Sequence, residues 1–196
     1  MDDHERHLLV MPADLPVPID DGAADHLKGM ALPDLALEST RGRRVNLSRE
    51  QSRLLVIYCY PRTGRPDQPI PEGWDAIPGA RGCTPQNCAY RDRDAAFKSL
   101  GAAVFGLSTQ TPEYQREMAE RLQLPYEVLS DHELRFTRAL RLPTFEFGGE
   151  TLIKRLSMVV RDGVIEHVAY PVFPSDADAS AILVWLRAPG NSGTVA

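Results

Sequence analysis

The sequence predicts an α/β domain built on a mixed central sheet flanked by helices, and three observations carry that reading. Leu54-Leu55-Val56-Ile57-Tyr58-Cys59-Tyr60 is an unbroken apolar run of strand length, the pattern of a strand buried on both faces at the centre of such a sheet. Downstream of it, strand-like and helix-like segments alternate. The chain then closes on a hairpin signal followed by a helix with an apolar stripe.

Taken in order, residues 1–30 read as an irregular lead-in, because Pro12, Pro16, Pro18 and Asp20-Asp21-Gly22 interrupt any long element. The domain proper is expected over residues 31–190. It opens with Leu35-Ala36-Leu37 and Arg44-Val45-Asn46-Leu47 around Ser39-Thr40-Arg41-Gly42, a small hairpin with a glycine in its turn. Pro61 ends the central strand. Residues 62–82 then hold Pro66, Pro69, Pro71 and Pro78 together with Gly64, Gly73, Gly79 and Gly82, so a long loop carrying Trp74 and Ile77 is expected. Loops of that length in compact domains tend to be lids or binding loops.

A helix is predicted from about Cys83 to Leu100, with Ala89, Ala96, Phe97 and Leu100 on one face. Ala103-Val104-Phe105-Gly106-Leu107 reads as a strand. Thr111-Pro112-Glu113 opens a helix with a capping hydroxyl and a first-turn proline, and Tyr114, Met118 and Leu122 form its stripe. Val128-Leu129 is a short strand. Ser130-Asp131-His132-Glu133 reads as the capped start of a helix that ends near Leu142-Pro143. Residues 155–160 and 164–170 pair around Arg161-Asp162-Gly163, and Ala179, Ile182, Leu183 and Leu186 mark the last helix.

Composition narrows the function. With 196 residues, 43% of them hydrophobic, the chain can bury one sizeable core. A net charge of −5 argues against a general nucleic-acid surface. No apolar run approaches the ~20 residues of a membrane span, and the acidic start Met1-Asp2-Asp3-His4-Glu5 is not a secretory signal. A cytoplasmic setting is therefore expected, where a disulfide is transient and catalytic rather than structural.

The chemistry concentrates in Gly82-Cys83-Thr84-Pro85-Gln86-Asn87-Cys88. A cysteine in the first turn of a helix meets unpaired backbone N–H groups and the positive end of the helix dipole. Both favour the thiolate, which is the nucleophile. A thiolate that attacks a peroxide becomes a sulfenic acid, which condenses with a second thiol. Cys88 is the nearest candidate. Five residues of ideal helix hold two Cα atoms roughly 8.6 Å apart, beyond the ~7 Å a disulfide tolerates, so the helix must loosen before the pair can join. The C-x4-C spacing fits neither a zinc site, which wants a second ligand pair, nor a C-x2-C oxidoreductase. Two unreactive thiols or a regulatory disulfide in a redox-responsive binding protein are the other readings, with a one-cysteine peroxidase resolved by an external thiol between them.

Residues 82–92, Gly-Cys-Thr-Pro-Gln-Asn-Cys-Ala-Tyr-Arg-Asp, resemble the GCT-x-x-x-C-x-x-RD motif of the peroxiredoxin Q subfamily, also called bacterioferritin comigratory proteins. Gly106-Leu107-Ser108-Thr109, Leu129-Ser130-Asp131 and residues 155–163 resemble further segments of it, and the likeness runs from about Leu32 to Leu186. The resemblance implies a thioredoxin-like fold with an N-terminal β-hairpin extension and a peroxidase of the AhpC/TSA type. It makes Cys83 the peroxidatic and Cys88 the resolving cysteine, with Arg155 stabilising thiolate and peroxide. It also implies a peroxide substrate, a thioredoxin-like protein reductant, no metal or organic cofactor, and a monomer or weak homodimer.

One departure stands out. The family places a proline seven residues, and a Thr or Ser three residues, before the peroxidatic cysteine. Here those positions are Ala76 and Ala80, and Pro61 lies 22 residues upstream of Cys83. Thr63 is expected to occupy the place of the missing hydroxyl, with Thr84 as the fallback. Residues 64–80 then become an excursion over the mouth of the site that limits substrate size. Among the other residues, Cys59 reads as core, Trp74 as an anchor of the loop rather than a substrate-side wall, and His167 as solvent-facing rather than catalytic. Gln86 reads as either a support of the site or an exposed residue, and Arg91 as part of a solvated helix face that could brace the cysteine helix.

Overall fold

The computed structural model describes residues 7–191. Its nine strands are β1 (Leu37–Ser39), β2 (Arg44–Val45), β3 (Leu54–Cys59), β4 (Ala102–Ser108), β5 (Glu127–Ser130), β6 (Thr144–Phe147), β7 (Glu150–Ile153), β8 (Leu156–Arg161) and β9 (Val164–Ala169). The helices are α1 (Cys83–Arg91), α2 (Asp94–Ser99), α3 (Pro112–Arg121), α4 (Arg135–Leu140) and α5 (Asp178–Arg187). Seven strands form one sheet in the order β2-β1-β5-β4-β3-β8-β9, and β6 and β7 pair apart from it. The expected mixed sheet is present: β3 runs parallel to β4 and antiparallel to β8.

Every residue of β3 is buried, and its alternating side chains serve two cores. Leu55, Ile57 and Cys59 face one core with Phe105, Leu107, Phe136 and Leu140. Leu54, Val56 and Tyr58 face the other, beneath the helices that bring Tyr90, Phe97, Met118 and Ile182. Tyr58 has room because its partner across the strand pair is Gly106; a Cβ there would lie 2.8 Å from the Tyr58 hydroxyl. Tyr58, Tyr90 and Phe97 stack in series, with centroids 4.1 Å and 5.5 Å apart, and so bind the cysteine helix to the central strand.

Three elements differ from expectation. The helix predicted from Cys83 to Leu100 is broken at Asp92-Arg93 into α1 and α2. Its apolar stripe continues across the break, which hides it in the sequence. The Arg93 guanidinium donates to the Ala89 carbonyl at 3.2 Å and so caps the end of α1. The helix predicted from Ser130 starts later, at Arg135, yet its cap was legible: the Asp131 carboxylate accepts from the backbone N–H groups of Phe136 and Thr137 at 3.0 and 2.7 Å. The β6–β7 hairpin was missed. Its signal is Phe145 and Phe147 alternating ahead of Gly148-Gly149, both at positive φ, as a tight hairpin turn requires.

Candidate active site

Gly82 sets the entry to α1. It adopts φ 98°, and a Cβ on it would lie 2.2 Å from Ser175 Oγ and 2.7 Å from Met11 Sδ, so only glycine fits. Cys83 follows as the first residue of α1, nearly buried at 4% exposure. With Pro85 in the first turn lacking a donor, the N–H groups of Cys83 and Thr84 lie outside the helix's own bonding and form its positive end beside the sulfur.

Arg155, between β7 and β8, is equally buried and meets that sulfur. Its Nη2 donates to Cys83 Sγ at 3.1 Å. The same guanidinium donates to the carbonyls of Gly79, Ala80 and Arg81 at 3.3, 3.1 and 3.1 Å, and through Nη1 to Gln86 Oε1. The end of the long loop and the start of α1 therefore close around one cation. Ala80, the position where a hydroxyl was expected, contributes its carbonyl instead, which also accepts from Cys83 Sγ at 3.5 Å.

The sulfur faces a pocket of about 50 Å³ walled by Thr63, Thr84, Trp74 and Tyr114, with Leu8 and Ile70 at its rim. Such a volume admits a small polar group or a few water molecules. Thr63 is fixed more tightly than Thr84. Its N–H and Oγ1 donate to Gln110 Oε1 at 2.8 and 3.1 Å, while its carbonyl accepts from Gln110 Nε2 at 3.2 Å and the Tyr114 hydroxyl at 3.1 Å. Since that hydroxyl spends its hydrogen on Gln110, its lone pairs are left to accept. Thr84 lies on the same wall one residue after the cysteine.

The loop over residues 62–82 covers this pocket. Trp74 is buried against Phe145 and Phe147, with ring centroids 6.2 and 5.0 Å apart, so the overlooked hairpin is what holds the loop down. Trp74 is thus both the anchor and a wall of the pocket. The lead-in adds a strap: Arg81 donates to the carbonyls of His7 and Val10 at 2.5 and 3.2 Å.

Cys88 sits five residues along the same α-helix, half-buried, and neither cysteine is joined in a disulfide in the structure. Asn87 fastens the turn between them. Its Nδ2 donates to the Cys83 carbonyl at 2.8 Å, its Oδ1 accepts from the Tyr58 hydroxyl at 2.7 Å, and its carbonyl accepts from the Tyr126 hydroxyl at 2.9 Å. Asn87 is by type a poor helix former that would loosen this turn, but these contacts hold it. Gln110, Tyr114 and Tyr126 were passed over as parts of the site, because their roles arise from contacts distant in sequence. Tyr60 was passed over too; its hydroxyl is buried with no partner among the described residues. Cys59 lies inside the core, where burial pushes its thiol well above the usual range. His167 is half-buried, its ring stacked on Trp185 with centroids 4.6 Å apart. Among the described residues no group of His, Cys, Asp or Glu is arranged to hold a metal ion, and no helix is long and apolar enough to cross a membrane.

A buried cysteine at a helix start, held by an arginine that directly precedes the strand paired with β3, defines a class. The Redoxin family matches residues 27–183, and the chain belongs to that family, within its peroxiredoxin Q and Bcp branch. It is 32% identical over 142 residues to the chloroplastic peroxiredoxin Q of Oryza sativa subsp. japonica, covering 72% of this chain and 58% of that protein. It is 30% identical over 163 residues to peroxiredoxin Bcp of Escherichia coli (strain K12), covering 81% of this chain and 94% of that protein. The chain thus spans less than two thirds of the rice relative and nearly all of the bacterial one. Peroxidoxin BcpB of Mycobacterium tuberculosis superposes with a TM-score of 0.66 at 25% identity, over 80% of this chain and 94% of that one. A Xanthomonas campestris bacterioferritin comigratory protein gives 0.62 at 18% identity, over 87% and 96%, which speaks for the thioredoxin-like fold alone.

Proposed function

We propose that this chain is a thiol peroxidase that reduces hydrogen peroxide and organic hydroperoxides. The observation that carries the reading is the Arg155 Nη2 to Cys83 Sγ contact of 3.1 Å at the floor of a small covered pocket. A cation and the first helix N–H groups stand beside the sulfur, the surroundings in which cysteines act as nucleophiles. The Cys83 thiolate attacks one peroxide oxygen, the O–O bond breaks, and the departing alkoxide takes a proton and leaves as alcohol or water. Cys83 is then a sulfenic acid. Arg155 offsets the charge that develops on the departing oxygen. Thr63, with its hydrogen committed to Gln110, accepts the peroxide O–H and orients it; Thr84 would serve only if Thr63 stood too far away.

Cys88 resolves the intermediate. Its sulfur attacks Cys83 Sγ, an intramolecular S–S bond forms, and water leaves. Because α1 is intact from Cys83 to Arg91, the structure corresponds to the reduced, wound state of that cycle. A thioredoxin-like dithiol protein returns both cysteines to thiols by exchange. One copy of the chain contains the whole disulfide, which suits a monomer or weak homodimer, and we place it in the cytoplasm on its likeness to the bacterial Bcp.

A coupled assay with thioredoxin, its reductase and hydrogen peroxide tests this on wild type, Cys83→Ser and Cys88→Ser. Sustained turnover lost in both variants is expected. Activity surviving in Cys83→Ser would overturn the assignment, and loss in Cys83→Ser alone would remove Cys88 from the cycle. A single stoichiometric oxidation without turnover would identify a redox sensor instead.

A further inference from the structure

Behind the cysteine site lies a buried carboxylate that the peroxidase cycle leaves unused. Asp178 is the first residue of α5 and 3% exposed. It does not cap its own helix: the α5 start carries no side-chain cap. Instead three donors from other elements converge on its Oδ2, namely Gln86 Nε2 at 2.7 Å, Ser157 Oγ at 2.6 Å and the Tyr90 hydroxyl at 3.0 Å. Its Oδ1 is buried and meets no partner among the described residues. Three donors aimed at one oxygen suit an anionic carboxylate. The positive end of α5 favours the same charge.

Gln86 links this anion to the reacting sulfur. A carboxamide has one donor end and one acceptor end. With Asp178 accepting from Nε2, the Gln86 oxygen must turn toward Arg155, where it accepts from Nη1. The opposite flip would set N–H against guanidinium and oxygen against carboxylate. Among the described residues Arg155 has no carboxylate hydrogen-bond partner; it meets three carbonyls, the Gln86 oxygen and Cys83 Sγ. Asp178 is therefore the buried counter-charge one residue behind it.

Building on the peroxidase reading of Cys83, we infer that Asp178 is a positioning residue, which fixes the flip of the Gln86 carboxamide and through it aims Arg155 at the cysteine sulfur. The chain of contacts runs from α5 through α1 to the loop before β8, so the last helix of the fold is coupled to the reactivity of its first long one. Neither Asp178 nor Gln86 lines the pocket, and their effect passes through Arg155 alone.

The test is a double-mutant cycle on the second-order rate constant for Cys83 oxidation by hydrogen peroxide, followed by stopped-flow tryptophan fluorescence. Asp178→Leu and Gln86→Met should each slow oxidation about tenfold, as loss of one charge-assisted bond implies. The double variant should be no slower than either single one, because the two residues act through one contact. Asp178→Asn keeps an acceptor oxygen and should recover most of the rate. Additive losses in the double variant, or an unchanged rate in Asp178→Leu, would overturn the inference. Should Asp178→Leu not fold, Asp178→Ala is cycled with Gln86→Met and read by the same criterion. Cys83→Ser serves as the control that separates the two levels. If it still consumes peroxide, the peroxidase reading fails and this inference falls with it; if it is inert and the Asp178 variants are normal, only this inference fails.

Discussion

Replacing Tyr126 by phenylalanine should speed disulfide formation without touching the peroxide step. The Tyr126 hydroxyl donates to the Asn87 carbonyl at 2.9 Å, and Asn87 in turn holds the Cys83 carbonyl through Nδ2 at 2.8 Å. Those bonds belong to the wound helix alone. Cys83 and Cys88 stand roughly 8.6 Å apart there, and must come within ~7 Å to join, so the turn held by Asn87 has to open first. The Asn87 carbonyl also lies within α1 and keeps a helical partner, so Tyr126→Phe leaves no buried acceptor orphaned. Its cost to the wound state is then an ordinary net hydrogen bond, about 1 kcal/mol, which raises the open fraction about fivefold. If opening is a rapid pre-equilibrium, disulfide formation accelerates by the same factor. A rapid-quench experiment after one equivalent of peroxide, read by mass spectrometry, follows sulfenic acid and disulfide separately. Over-oxidation to sulfinic acid at high peroxide should fall in parallel. A variant with normal Cys83 oxidation and an unchanged or slower disulfide step would refute the reasoning.

The other expectations concern the lid, the helix start and the buried carboxylate. Trp74→Ala removes the ring seated on Phe147 at 5.0 Å and should raise kcat/KM for cumene hydroperoxide several-fold relative to hydrogen peroxide; an unchanged ratio would deny the loop a role in substrate size. Gly82→Ala forces a side chain into φ 98° and to within 2.2 Å of Ser175 Oγ, strain on the order of 1–3 kcal/mol. Its melting temperature and its Cys83 oxidation rate should drop together, and a variant equal to wild type in both would contradict the close packing. Burial raises the Asp178 carboxyl above its usual value of 3.8, outweighing the donors Ser157, Gln86 and Tyr90 and the Arg155 charge. The folded chain then binds this proton more tightly than the unfolded one, so stability falls as pH rises through the folded value and the loss is absent below the unfolded one. Urea unfolding from acid to neutral pH should show wild type losing stability relative to Asp178→Asn, and a pH-independent difference would contradict it.

How much of this was legible in the sequence depended on how local each signal is. The unbroken apolar run announced β3, and the Thr111-Pro112 start announced α3, because strand burial and helix caps are written in adjacent residues. Cys83, Gln86 and Arg155 could be named from the motif and its resemblance. What holds them could not. Gln110 clamps Thr63 across 47 positions, Tyr126 fastens Asn87 across 39, and Asp178 reaches Gln86 across 92, and no local pattern encodes such meetings. The break in the cysteine helix was hidden by a stripe that keeps its period across Asp92-Arg93. The β6–β7 hairpin was a different kind of miss: Phe145, Phe147 and Gly148-Gly149 carried a readable turn signal. With the hairpin unseen, nothing in the sequence explained why a loop rich in proline and glycine would lie down over the site.

The measurement that bears most directly on the central assignment is peptide mapping of the two cysteines after one equivalent of hydrogen peroxide. Wild type should yield a single linked species joining Cys83 to Cys88, with Cys59 unmodified. In Cys88→Ser, a sulfenic-acid trap such as dimedone should label Cys83 and no other residue. Label on Cys88 or Cys59, or a Cys83 that stays a free thiol while peroxide disappears, would contradict the account.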